Sequence, residues 1–159
     1  MMTNDVLRSV RYMLDLADAH VVDIIKLTGY EVSPQDVARW LKKEGEEGFA
    51  ECPSTSLAHF LDGLIIFRRG KNENAVAEPV ARSASNNLSI SNNQVLKKLR
   101  VAFELKEDDL NSIMDAAGFK ISKPELSALF RKEGQKNYRQ CGDQFLRNFL
   151  KGLTLRIRG

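Results

Sequence analysis

One pattern of residues occurs twice in this chain, at an offset of 89 positions. Residues 29–52 read GYEVSPQDVARWLKKEGEEGFAEC, and residues 118–141 read GFKISKPELSALFRKEGQKNYRQC. Both copies begin with Gly and an aromatic residue, continue with a β-branched aliphatic residue and Ser, and close with Lys-Glu-Gly and then Cys. Chance does not place these residues in one register over such a length, so the sequence predicts a tandem duplication.

The match extends without a gap from residues 4–70 to residues 93–159. We therefore predict repeat 1 at residues 1–70, a flexible linker at 71–92 and repeat 2 at 93–159. The linker, KNENAVAEPVARSASNNLSISN, is polar, rich in Asn and Ser, and has no helical period. Because a repeat of about 67 residues is marginally stable alone, we expect the two repeats to dock around an approximate two-fold axis.

Apolar residues recur at helical spacing in each repeat, and no segment alternates with a period of two. The sequence therefore predicts an all-α fold with four helices per repeat. The expected end signals in repeat 1 are Asn4 as N-cap of the first helix, Gly29 after the second, Ser33 as N-cap of the third and Gly45 at its end. The same signals recur in repeat 2 at Asn93, Gly118, Ser122 and Gly134.

Gly63 and Gly152 occupy equivalent positions inside the fourth helix of each repeat. Glycine in a helix interior costs about 1 kcal/mol relative to alanine. We therefore expect another helix to cross closely at each of these glycines.

The composition, 43% apolar and 28% charged, is that of a soluble globular protein. No apolar run approaches a membrane span, and the Met-Met-Thr-Asn-Asp start lacks the features of a secretory signal, so we expect a cytoplasmic protein. Two cysteines without a CxxC pair indicate reduced thiols and no metal site. The sequence has no glycine-rich phosphate loop, so we predict no cofactor.

Four segments resemble a known family. They are NDVLRSVRY at 4–12, WLKKE at 40–44, VLKKLR at 95–100 and CGDQFLR at 141–147. Together they resemble the YehS-like bacterial proteins, which are built from a tandem domain of unknown function, and the resemblance covers nearly the whole chain. It implies a small bacterial protein with two helical repeats, and it supplies no catalytic residues.

The two repeats differ in charge. Residues 4–70 carry 8 Lys and Arg against 11 Asp and Glu, a net charge of −3, whereas residues 93–159 carry 14 against 8, a net charge of +6. Residues 108–133 also resemble a helix–turn–helix, in which a capped second helix follows a glycine-containing turn. Basic residues of repeat 2 that would form a nucleic-acid or partner surface are Lys97, Lys98, Arg131, Lys132, Lys136, Arg139, Arg147 and Lys151.

The acidic repeat 1 is itself a partner for such a basic surface, so the asymmetry also fits docking within the chain or head-to-tail association. The sequence therefore favours a non-enzymatic binding or regulatory protein that acts through protein association, including homo-oligomerisation. Nucleic-acid binding by repeat 2 is the alternative.

A thiol-dependent enzyme is the second alternative, because Cys52 and Cys141 each precede a helix whose dipole would lower the pKa of a thiol. The competing interpretation is that each Cys is a small apolar side chain packed beneath the fourth helix. No His recurs with the cysteines, which favours packing. Glu44 and Glu133 form the other repeated candidate, as a carboxylate pair for acid–base chemistry, but a solvated carboxylate in a last helical turn is the far commoner explanation.

Overall fold

A computed structural model describes residues 1–70 and 90–159 of the chain. Within those residues the secondary structure is entirely helical, which confirms the predicted all-α fold with four helices in each repeat. The helices are α1 (Thr3–Leu14), α2 (Asp18–Lys26), α3 (Pro34–Trp40), α4 (Ser54–Arg69), α5 (Asn92–Ala102), α6 (Glu107–Ala116), α7 (Lys123–Leu129) and α8 (Asp143–Arg158).

The second repeat begins slightly before the predicted boundary. Ser91 caps α5 by accepting a hydrogen bond from the backbone N–H of Gln94, and Ile90 packs against the hydrophobic core. The rest of the predicted linker, residues 71–89, lies outside the described residues.

The short third helices are capped as the sequence predicts. Ser33 accepts a hydrogen bond from the backbone N–H of Asp36 at 3.0 Å, and Ser122 caps α7 in the same way. The turns after α2 and α6 each contain a glycine in the left-handed region, with φ of 85° at Gly29 and 78° at Gly118. A residue with a Cβ atom would be strained there.

The prediction that the third helices extend to Gly45 and Gly134 was wrong, because α3 ends at Trp40 and α7 at Leu129. In each repeat, the backbone carbonyl that would accept the next helical hydrogen bond instead accepts one from a side chain of the first helix. The segment that follows is a series of turns that leads back towards α4 or α8.

That side chain is a buried asparagine, Asn4 in repeat 1. Its amide donates to the carbonyls of Trp40 at 3.0 Å and Ala50 at 2.9 Å, and its oxygen accepts from the backbone N–H of Cys52 at 2.9 Å. The prediction that Asn4 and Asn93 are N-caps was therefore wrong. Each is the second residue of its helix, and its side-chain hydrogen bonds hold the loop that precedes the fourth helix of the same repeat.

The two repeats are interleaved, since α1 packs along α8 and α5 packs along α4, whereas the first and fourth helices of one repeat barely touch. The N-terminal amine of Met1 contacts Asp143 at the start of α8, and Arg158 near the end of α8 donates to the carbonyl of Tyr12 near the end of α1. These two contacts show that α1 and α8 run in the same direction.

The α4–α5 pair has the same geometry. Asp62 in the middle of α4 meets Lys98 in the middle of α5, and Arg68 near the end of α4 donates to the carbonyl of Ala102 at the end of α5. Each repeat therefore supplies one helix to each of two equivalent interfaces, and one continuous apolar core joins them.

One pair of equivalent contacts shows the approximate two-fold directly. Arg158 donates to the carbonyl of Tyr12 at 2.7 Å, and Arg69 donates to the carbonyl of Val101 at 3.4 Å. Arg69 and Val101 are the residues that the 89-position offset relates to Arg158 and Tyr12. The same contact, from an arginine side chain to a backbone carbonyl, therefore occurs at the C-terminal end of both helix pairs.

The close crossings predicted at the helical glycines are present. A Cβ atom at Gly63 would overlap the backbone carbonyl oxygen of Ile24 in α2, and one at Gly152 would overlap that of Ile113 in α6. Glycine at these positions lets the second helix of each repeat lie directly on the fourth.

Replacing Gly152 by Ala should lower the free energy of unfolding by about 2 kcal/mol. Overpacking a core costs about 3 kcal/mol at the upper end of its usual range, and a rigid carbonyl cannot move aside as a side chain can. The better helix propensity of Ala recovers about 1 kcal/mol. Urea denaturation of the Gly152→Ala variant measures the difference.

The matched control is Gly142→Ala, because Gly142 has a φ of −78° and open space around the position of a Cβ atom. That change should alter stability by less than about 1 kcal/mol. Equal stability of the two variants would show that the α6–α8 crossing is not tight.

Candidate binding cleft between the first and last helices

The structure separates the basic residues that the sequence grouped into one surface. Arg131, Lys132 and Lys136 are exposed in the turns that follow α7, and Lys97 is half-buried on α5. Arg139 forms an exposed ion pair with a carboxylate of its own repeat. The remaining three candidates, Lys98, Arg147 and Lys151, lie at the two helix interfaces.

The prediction that Lys98 belongs to an exposed surface was wrong, because only 7% of its surface is accessible to solvent. Its ammonium group forms a buried ion pair and hydrogen bond with Asp62, which is 1% exposed. The partner lies on the other repeat, so the helical face of α5 alone could not identify Lys98 as an interface residue. The pair fills the centre of the α4–α5 interface.

The equivalent positions at the α1–α8 interface carry different chemistry. The 89-position offset relates Asp62 to Lys151 and Lys98 to Ser9, so a cation and a hydroxyl replace the ion pair. A cleft of about 550 Å³ opens there. Its lining consists of Met1, Asp5, Ser9, Tyr12, Arg147, Leu150, Lys151, Thr154 and Leu155.

The cleft contains two cations that form no ion pair within the described residues. Arg147 and Lys151 lie one turn apart on α8, and neither forms an ion pair or hydrogen bond within residues 1–70 and 90–159. The nearest carboxylate on α8, Asp143, instead binds the N-terminal amine of Met1 and the side-chain amide of Asn92, each at 2.8 Å. Those two hydrogen bonds hold the pKa of Asp143 below its ordinary value.

Apolar surface is exposed beside these cations. Tyr12 is 60% exposed and Leu155 is 48% exposed, and both line the cleft. The equivalent residues at the other interface, Val101 and Ile66, are both half-buried and so less exposed. Large apolar side chains exposed next to a concave surface are typical of a binding site.

Both cysteines are buried, and their surroundings suppress the thiolate. Burial, and secondarily the charge of Glu51, raises the pKa of Cys52 to about 12. Burial and the charge of Asp143 raise the pKa of Cys141 to about 11, although Arg139 opposes this shift. Since the thiolate is the nucleophile, these values favour the packing interpretation over the thiol-enzyme hypothesis.

The helix–turn–helix interpretation receives little support from α7. This helix has seven residues and buries Leu126 and Leu129, so its exposed face is short. Glu125 on that face bonds to Ser122 and to Arg139, and these hydrogen bonds lower the pKa of its carboxyl. A carboxylate held in its charged form opposes approach to a phosphate backbone.

The other repeated candidates, Glu44 and Glu133, are exposed residues in the turns after α3 and α7. Neither forms an ion pair or a hydrogen bond through its side chain within residues 1–70 and 90–159. This placement matches the interpretation as solvated carboxylates.

In repeat 1 the buried His59 contacts two side chains, an arrangement that the sequence did not predict. The ring of His59 stacks on Tyr30 at 4.0 Å between centroids, and its Nδ1 lies 2.8 Å from the hydroxyl of Thr28. That hydroxyl also donates to the carbonyl of Ile25 at 2.8 Å. The stacked ring and these short contacts hold His59 in one orientation within repeat 1.

The sequence analysis named only Arg147 and Lys151 of the cleft residues, and it missed the polar side chains of Ser9, Tyr12 and Thr154 as well as the apolar Leu155. A signal for Ser9 was present, because residues 9 and 98, like residues 151 and 62, differ in chemical type between the repeats while most core positions keep theirs. Using that signal requires the pairing of α1 with α8, which the helical pattern does not give.

No helix within the described ranges has the length and apolar character that a bilayer span needs. The chain is 49% identical over 157 residues to "Uncharacterized protein YehS" of Escherichia coli (strain K12), an alignment that covers 98% of this chain and 96% of that protein. No solved structure matches the chain. Residues 3–70 and 92–159 each match the model of one family, so the chain belongs to the family described as "Protein of unknown function (DUF1456)" and contains two copies of its domain.

Proposed function

We propose that this protein is a non-enzymatic binding protein that takes a segment of a protein partner into the cleft between α1 and α8. The observation that carries the proposal is the difference between two equivalent interfaces. The buried Asp62–Lys98 pair fills one interface, and the other has an open cleft at the same place. Packing alone would favour filling both.

The lining of the cleft supports a protein partner. Leu155 provides exposed apolar surface, and Tyr12 combines an apolar ring with a polar hydroxyl. Tyrosine is enriched where proteins bind one another, because it buries a large area and still forms a hydrogen bond. A helix or an extended segment with an apolar side chain fits this lining.

The test starts from a displayed library of random peptides selected on the full-length protein. The selected peptides are then titrated against the Tyr12→Ala and Leu155→Ala variants, and we expect each variant to weaken binding about 10-fold or more. Phe67→Ala is the matched control, because Phe67 is an exposed apolar residue that does not line the cleft. It should change affinity less than about 2-fold.

Two results would overturn the proposal. One is selection of no peptide whose binding depends on Tyr12 or Leu155. The other is that mixed DNA or RNA binds at low salt with an affinity that falls steeply as salt is added, because this would assign the function to the exposed cations of repeat 2 instead.

A further inference from the structure

We infer that the cleft holds the carboxylate side chain of an acidic residue in the bound segment, placed between Lys151 and Arg147. This inference rests on the proposed function and adds the chemistry of the ligand. The partner segment would then carry an Asp or Glu next to an apolar residue.

The α4–α5 interface provides the internal template. There the cation of one repeat meets a carboxylate of the other, because Lys98 of α5 pairs with Asp62 of α4. At the α1–α8 interface the cation has moved to the other helix, as Lys151 of α8, and the position opposite it is Ser9. The second interface therefore has a cation and an open volume, and the position opposite the cation carries a hydroxyl in place of a carboxylate.

Asp5 lines the cleft and Asp143 lies beside it, and each carboxylate accepts hydrogen bonds from other groups. Asp5 accepts a hydrogen bond from the backbone N–H of Met2 at 3.0 Å, and Asp143 binds the Met1 amine and Asn92. Neither carboxylate lies within ion-pair distance of Arg147 or Lys151. The charge of Asp143 acts on Arg147 only from a longer distance, so an acidic group held in the cleft would be the first to form a direct ion pair with either cation.

Hydrogen-bond donors also favour an anion. The hydroxyl of Thr154 is already used, because it donates to the carbonyl of Leu150 at 2.7 Å. The hydroxyls of Ser9 and Tyr12 form no hydrogen bond within the described residues. Both can donate to an oxygen in the cleft. Arg147 adds a planar guanidinium whose paired N–H groups match the two oxygens of a carboxylate.

The first experiment titrates sodium acetate, as a carboxylate probe, into the ¹⁵N-labelled full-length protein, with sodium chloride at equal ionic strength as the reference. We expect saturable shifts of the backbone amide signals of Ser9, Tyr12 and Lys151 with acetate only. Arg147→Gln and Lys151→Gln should each weaken the acetate response about 10-fold, because a hydrogen bond to a charged group contributes roughly this factor. Arg131→Gln removes an exposed cation outside the cleft and should leave it unchanged.

A double variant tests the internal template. Ser9→Lys with Lys151→Asp places the Asp62–Lys98 chemistry in the cleft, and we expect it to abolish the acetate response. A saturable acetate response that is unchanged in this folded double variant, and in both single glutamine variants, would overturn the inference.

The outcomes separate the inference from the proposed function. Peptide binding that depends on Leu155 without any acetate response would leave the proposed function standing and remove the carboxylate site. Acetate binding at Lys151 without peptide binding would support the anion site and count against a protein partner. Inorganic phosphate that binds at these residues more than about 10-fold tighter than acetate would overturn the assignment of a carboxylate.

Discussion

Replacing Lys98 by Met should lower the free energy of unfolding by about 3–5 kcal/mol, because the change leaves the carboxylate of Asp62 buried without a countercharge. Asp62 is 1% exposed, and its Oδ2 already has no hydrogen-bond partner within the described residues. The other oxygen depends on Lys98. Chemical denaturation at neutral pH measures the loss.

Two controls separate charge from packing. Lys97→Met removes the neighbouring cation, which is only half-buried, and should alter stability by about 0.5 kcal/mol or less. Asp62→Leu combined with Lys98→Met removes both charges and should recover most of the loss, since a buried ion pair is often no more stable than an apolar pair of similar volume. A double variant as unstable as Lys98→Met would contradict this account.

Asn93→Ala should lower the free energy of unfolding by about 3 kcal/mol or more, because it removes the partner of two buried backbone groups and one partly buried group, at about 1–3 kcal/mol each. The Asn93 amide donates to the carbonyls of Leu129 at 3.0 Å and Arg139 at 2.9 Å, and its oxygen accepts from the N–H of Cys141 at 2.8 Å. Thermal and urea unfolding of the full-length variant measure the effect.

The control is Asn111→Ala, because Asn111 lies on α6 and makes no hydrogen bond through its side chain within the described residues. Alanine has the better helix propensity, so this variant should be as stable as the parent or slightly more stable. If Asn93→Ala behaved like Asn111→Ala, the loops before α4 and α8 would not be held by these side chains.

The repeats, the helices and the close crossings were predictable because their signals are local. Helical periodicity and capping residues lie within a few positions of one another, and the 89-position offset doubles each signal. Gly63 and Gly152 show this most clearly, since a glycine at the same place in two helices predicts a neighbour that leaves no room for a Cβ atom.

The remaining features depend on residues that are distant in sequence. α3 ends early because Asn4 captures the carbonyl of Trp40, and no property of the α3 segment reveals this. Lys98 was assigned to an exposed surface because Asp62 belongs to the other repeat. For the same reason the cleft could not be predicted, since its two sides come from the two ends of the chain.

The interleaved packing of the repeats has a consequence for how the two interfaces can change. Two separate chains of one repeat, related by a two-fold axis, would form two identical interfaces, and any substitution would appear in both. Here the two copies share one chain, so positions 62 and 151 vary independently, and so do positions 98 and 9. The molecule therefore resembles a dimer whose two halves can mutate separately, and this independence lets one interface bury an ion pair while the other packs around a cleft.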